Sequence, residues 1–176
     1  MFANSLMLPY FDYLDNIWNK TNKTKLHELD ILYKKVAKIA LDYDILESSK
    51  KVYKDMKWLP LHLRRQLHMS TYMFKIINGM SPPQLQDKFA YISGGSRGGN
   101  NCNLYTKKSK SHKQFFYLGA MCWNLLPLTL RHADTAKSFS SALKNNLLHS
   151  IDLDTAYLVD NTYDKLYKLN NIQYNG

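Results

Sequence analysis

The sequence predicts an all-α fold: a single domain of about five or six helices arranged around a central helix at 59–79. An irregular basic segment at 93–114 interrupts it, and an acidic, polar and weakly ordered tail is expected at 150–176. Three observations lead there. Apolar residues recur at steps of three and four over Lys25–Leu41, which is the spacing of one helix face. The stretch 58–83, WLPLHLRRQLHMSTYMFKIINGMSPP, is bracketed by helix punctuation. Pro60 suits a first helical turn, Asn78-Gly79 suits a left-handed stop, and Pro82-Pro83 forbids resumption. Near the C-terminal end, Asp134 or Thr135 precedes a run with Phe139, Leu143 and Leu147 on one face, as a capped helix requires.

In chain order, residues 2–18 are apolar and aromatic and predict a short helix bent at Pro9. Residues 19–24 are a polar loop in which Asn22 or Thr24 can cap the next helix. In the 25–41 helix the apolar stripe is Leu26, Leu29, Leu32, Val36, Ile39 and Ala40, with Glu28 and Asp30 in the first turn, where the helix dipole favours them. Ser48 or Ser49 can cap a short helix that leads into Trp58. The central helix carries Leu63, Leu67, Phe74 and Ile77 on its apolar side, widened by Tyr72, Met73, Ile76 and Met80. Arg64, Arg65 and His68 occupy the opposite side of its first half, a wet and positive surface. Residues 84–92 predict one or two helical turns with Leu85, Phe89 and Ile92 inward. The run SGGSRGGNN at 93–101 is a flexible loop, and no Gly-Lys-Ser/Thr follows to make it a phosphate loop. Residues 103–114 are extended or irregular and basic. FFYLGAMCWNLLP at 115–127 is a second apolar centre, with Phe115, Phe116, Tyr117 and Trp123 packing under the central helix. The predicted structural core is anchored by Trp58, Leu63, Leu67, Phe74, Ile77, Gly119, Trp123 and Pro127.

Length and composition bound the function. The chain has 176 residues, 45% of them hydrophobic, enough for one sizeable core. Its formal net charge of +10 favours polyanionic partners. Two cysteines, Cys102 and Cys122, are too few for a disulfide framework. No apolar run approaches the roughly 20 residues of a bilayer span, and Asp12 and Asp15 interrupt the apolar N-terminus, so no signal peptide is evident. These features predict an intracellular chain, in cytoplasm or nucleus, with no membrane partner. Cys102, His112, Cys122 and His132 recur every ten residues, unlike the two-to-five-residue pairs zinc prefers, so no metal or other cofactor is expected. No nucleophile or carboxylate stands at a suitable spacing from His68 for general-base chemistry.

Four blocks, in order, are similar to the region after the polymerase core in non-LTR retrotransposon reverse transcriptases of the jockey-like kind. They are LPYFDYLDNIW (8–18), the Leu26–Leu41 helix, the 58–83 stretch, and FFYLGAMCWNLLP followed by FSSALKNNLL (139–148). Gly119, Ala120, Trp123, Asn124, Leu126 and Pro127 carry the resemblance most specifically, and Leu61, Arg64, Arg65, His68 and Asn78-Gly79 add to it. Two departures stand out: Leu118 occupies a position that is usually basic, and the extended segment is Lys-rich where the family is Arg-rich. The resemblance implies the thumb and trailing region of an RNA-directed DNA polymerase over 1–149. The paired aspartates that such a polymerase needs for its metal ions have no counterpart, since no Asp-Asp dipeptide occurs. The resemblance therefore implies a truncated, non-catalytic portion with no small-molecule substrate.

Residues 101–149 contain seven Lys and Arg against one Asp, a net +6. Arg64, Arg65, Lys107, Lys108, Lys110 and Lys113 are accordingly the candidate residues for sequence-independent contact with RNA or DNA backbone. An alternative is a protein-interaction or self-association module, in which the apolar 2–18 element binds a second copy or a partner like the absent palm. A third is a remnant without function.

Overall fold

The computed structural model describes residues 3–15, 23–92, 103–105 and 115–152. The described residues are all-α. A π-helical turn over Ala3–Met7 precedes α1 (Leu8–Asp12), α2 (Lys23–Ala40), α3 (Ser49–Met56), α4 (Leu61–Ile77), α5 (Pro83–Gln86), α6 (Phe115–Asn124), α7 (Leu128–Arg131) and α8 (Ala136–Asp152). Five of these, α2, α3, α4, α6 and α8, are eight residues or longer. The Gly-rich loop at 93–101, the lysines from Lys107 to Lys113 and the tail beyond Asp152 lie outside the described residues. The helices fall into two compact units. The first takes its described residues from 3–65 and 144–152, the second from 66–143.

The first unit is built on aromatic rings. Tyr33 of α2 is fully buried. Its ring stacks on Trp58 at 5.2 Å and meets Phe11 edge-on at 5.0 Å. Its hydroxyl donates to the Leu59 carbonyl at 2.9 Å, so the one polar atom of the ring is satisfied inside the core. The Trp58 indole N–H in turn donates to the Asn4 side chain at 2.7 Å. Leu8, Ala37, Val52, Tyr53, Met56 and Leu61 complete this core. Leu32 and Ile39, expected on the buried stripe of α2, are instead 52% and 78% exposed. Tyr33 and Ala37 take the innermost positions, held by the ring stacking and the hydroxyl bond, while Leu29 and Val36 of the expected stripe still pack against the same core. Glu28 and Asp30 lie past the first turn, which starts at Lys23, and Glu28 pairs with Lys25 at 3.1 Å. α3 stops at Lys57, whose φ of +52° is left-handed, with Trp58 N–H bonding back to Tyr53.

In the second unit, α4 ends as its sequence demands. Gly79 takes φ +68°, Met80 N–H reaches back to the Lys75 carbonyl, and the Asn78 side chain caps the Phe74 carbonyl at 2.9 Å. Phe74 stacks on Phe139 at 4.5 Å, and both are fully buried. Gly119 allows a close approach: a Cβ there would lie 2.6 Å from Met73 Sδ, so that side chain would have to shift. At the start of α8, the Thr135 hydroxyl accepts the Ser138 N–H at 3.1 Å, the N-cap its sequence predicts. Of the predicted anchors, Trp58, Leu63, Leu67, Phe74, Gly119 and Trp123 are buried. Ile77 is half-buried, and Pro127 is exposed because it occupies the turn just ahead of α7. Tyr72, Met80, Ile92 and Phe116, expected inside, all retain substantial exposure.

Candidate nucleic-acid interface

The basic start of α4 is not a wet surface. Arg64 turns its guanidinium onto Asp12, donating from Nε and Nη2 to the two carboxylate oxygens, and both side chains are largely shielded from water. Such a bidentate, charge-assisted pair is a strong hydrogen-bonding arrangement. Arg65 is only 9% exposed. It follows Leu61 by four residues, so the two share one helix face, and Leu61 belongs to the aromatic core. His62, between Leu61 and Leu63, is held neutral: burial pushes its pKa down to about 4, with Arg65 and Lys34 adding to the effect against Asp30.

The lysine segment is outside the described residues, but both of its flanks are fixed in the second unit. Leu104 is fully buried. Its N–H donates to Asn124 Oδ1 and its carbonyl accepts from Asn124 Nδ2, both at 2.8 Å. An antiparallel bridge joins Tyr91 to Leu104, with bonds from Ile92 N–H to Asn103 and from Tyr105 N–H to Ala90. Arg131 locks the same region from below. It donates to the Leu126 and Asn124 carbonyls and to Asn103 Oδ1, at 2.8–3.0 Å, while its guanidinium lies 5.7 Å from the Trp123 ring. On the far side of the segment, Phe115 opens α6 with its ring edge-on to Tyr72 at 5.9 Å.

Sequence reasoning did not single out Arg131 or Asn103. Arg131 belongs to no periodic pattern, and its role depends on a turn at Pro127 that brings it back over Trp123. Asn124 was visible within the Trp-Asn-x-Leu-Pro string, without its partner. Exposed aromatic residues were also missed. Tyr72, Phe115, Phe116 and Phe89 form a continuous array, with successive centroids 5.9, 5.5 and 5.6 Å apart. Tyr72 is 46% exposed and Phe116 39%. Lys75, Lys88 and Lys137 are exposed in this unit, whose carboxylates among the described residues are Asp87 and Asp134. Trp58 and Trp123, by contrast, are too buried to meet a base.

Cys122 is sealed inside α6, and burial alone pushes its thiol up to about 12, so it offers no thiolate at neutral pH. His132 is exposed, while Cys102 and His112 lie outside the described residues. No helix among the described residues is long and apolar enough to cross a membrane. Compared with protein-family models, with curated proteins and with solved structures, the chain matches none.

Proposed function

We propose that this chain is a non-catalytic helical module, akin to the C-terminal part of a non-LTR retrotransposon reverse transcriptase, that binds RNA or DNA through the phosphate backbone without regard to sequence. One observation carries the binding: a lysine-rich segment whose two ends are pinned, at Leu104 by Asn124 and at Phe115 by Tyr72. Pinning lowers the entropy that the segment would lose on meeting a polyanion. The residues on which the resemblance rests have structural roles in this chain: Gly119 packs under Met73, Asn124 holds Leu104, and Trp123 lies beneath Arg131. Lys107, Lys108, Lys110 and Lys113 carry the binding, and Arg64 and Arg65 leave the set because they serve the first unit internally.

The test is anisotropy of labelled RNA and duplex DNA across a salt series. Affinity falls steeply with salt, and replacing the four lysines by alanine flattens the slope by roughly 0.7–0.9 for each phosphate no longer neutralised. Absence of any binding at low salt sinks the proposal.

A second reading rests on the N-terminal element. Leu8 and Phe11 are buried, yet Leu6, Met7, Tyr10, Tyr13 and Leu14 are 46–81% exposed. An apolar surface of that kind suits self-association or a protein partner. Sedimentation velocity separates the two: a monomer that binds RNA favours the first, and a salt-indifferent dimer blind to RNA favours the second.

A further inference from the structure

Large aromatic rings are normally withdrawn from water, and a ring left half-open at a continuous array needs a reason. The four rings Tyr72, Phe115, Phe116 and Phe89 touch in series, and the array leaves Tyr72 and Phe116 open to solvent. Two exposed lysines neighbour its rings in sequence. Lys75 is three residues along α4 from Tyr72, on the same side of the helix, and Lys88 immediately precedes Phe89. Asp87 is the carboxylate nearest in sequence. Exposed aromatic rings with lysines close in sequence match the two chemistries of an unpaired nucleotide strand, a flat base and a phosphate. A duplex hides its base faces in its own stack, so it can use only the lysines.

We propose that this array is a base-stacking surface for single-stranded nucleic acid, with Tyr72 and Phe116 as the stacking rings and Lys75 and Lys88 meeting the phosphates. The proposal deepens the nucleic-acid-binding function above and rests on it. It adds a preference that backbone contact by the lysine segment does not supply.

The test measures binding of labelled dodecamers of uridine and of thymidine, of an abasic strand of the same length, and of a duplex, all at low salt. The base-bearing single strands bind at least about fivefold tighter than the abasic strand, the least that one stacked base contributes. Tyr72→Ala and Phe116→Ala each remove about five- to tenfold of that affinity, while Tyr72→Phe and Phe116→Tyr, which keep the ring, retain it. Because Phe116→Ala can also loosen α6, unaltered protein is irradiated with a bromouracil strand, and the cross-linked peptide is expected to contain Tyr72 or Phe116. Equal affinity for abasic and base-bearing strands, or cross-links only elsewhere, overturns the stacking surface and leaves backbone binding standing. Failure to bind any strand overturns both. A salt-indifferent dimer that Tyr72→Ala disperses also overturns it, because the array would then be a protein interface.

Discussion

The carboxamide of Asn124 and the backbone of Leu104 hold each other by two hydrogen bonds of 2.8 Å, one in each direction. Only an amide side chain can both donate and accept in this way. Asn124→Asp keeps the shape but loses the donor and sets a carboxylate against a carbonyl. It is expected to cost about 1–3 kcal/mol and to strip hydrogen-exchange protection from the Leu104 amide. Urea denaturation and amide exchange measure both, and a protected Leu104 amide in the variant would show that the clamp is dispensable.

Gly119 sits where a methyl group would strike Met73. Alanine gains about 1 kcal/mol of helix propensity, but overpacking a fully buried methionine costs typically 1–3 kcal/mol. Gly119→Ala is therefore expected to be modestly destabilising and Gly119→Val severely so. In a Met73→Ala background, Gly119→Ala becomes neutral or stabilising. A double-mutant cycle by thermal denaturation reads the coupling directly.

The Arg64–Asp12 pair joins α4 to α1 inside the first unit. Asp12→Asn should cost about 1–3 kcal/mol, the range for a charge-assisted bond removed from a shielded site. Arg64→Ala should lower the melting temperature without weakening RNA binding. A several-fold loss of affinity in folded Arg64→Ala would return that arginine to the interface.

His62 makes the first unit sensitive to acid. Its folded pKa of about 4 lies below its ordinary 6.5 because of burial, so between those values the unfolded chain binds more protons than the folded one. The neutral imidazole therefore contributes its full share of stability above pH 6.5. That share is lost as pH falls toward 4, at most on the order of 3 kcal/mol. His62→Gln should flatten the stability profile across this window. An unchanged acid slope in that variant would assign it to other groups.

Lys57 holds a left-handed conformation that a side chain disfavours by roughly 1–2 kcal/mol. Lys57→Gly should accordingly raise the stability of the first unit by up to about 1 kcal/mol, seen as a higher melting temperature. A lower one would indicate that the lysine side chain makes a contribution of its own.

Punctuation was the most legible layer of the sequence. Pro60, Gly79 and Thr135 bound their helices almost where the residues indicated, because caps and breakers act within a few residues of chain. Periodicity was less reliable. In α2 both Leu32 and Tyr33 fit an apolar stripe, and the choice between them was made by Trp58 and Leu59, which are distant in sequence. The expectation that Arg64 and Arg65 line a wet surface failed for a related reason. A pattern on one helix cannot show that Asp12, from another element, will claim the guanidinium. Arg131 and its three acceptors were illegible because the site is assembled from a turn, a bridge and a helix end.

The pairing of Tyr91 with Leu104 sets two points of the second unit, thirteen residues apart in sequence, side by side. The two ends of the 93–102 stretch are thus already joined at the bridge, before any length of chain between them is counted. The entropic cost of lengthening a closed loop grows only logarithmically, about 0.6 kcal/mol per doubling. That junction is a natural port for grafting a fluorescent reporter or an affinity peptide while the helices on either side keep their packing.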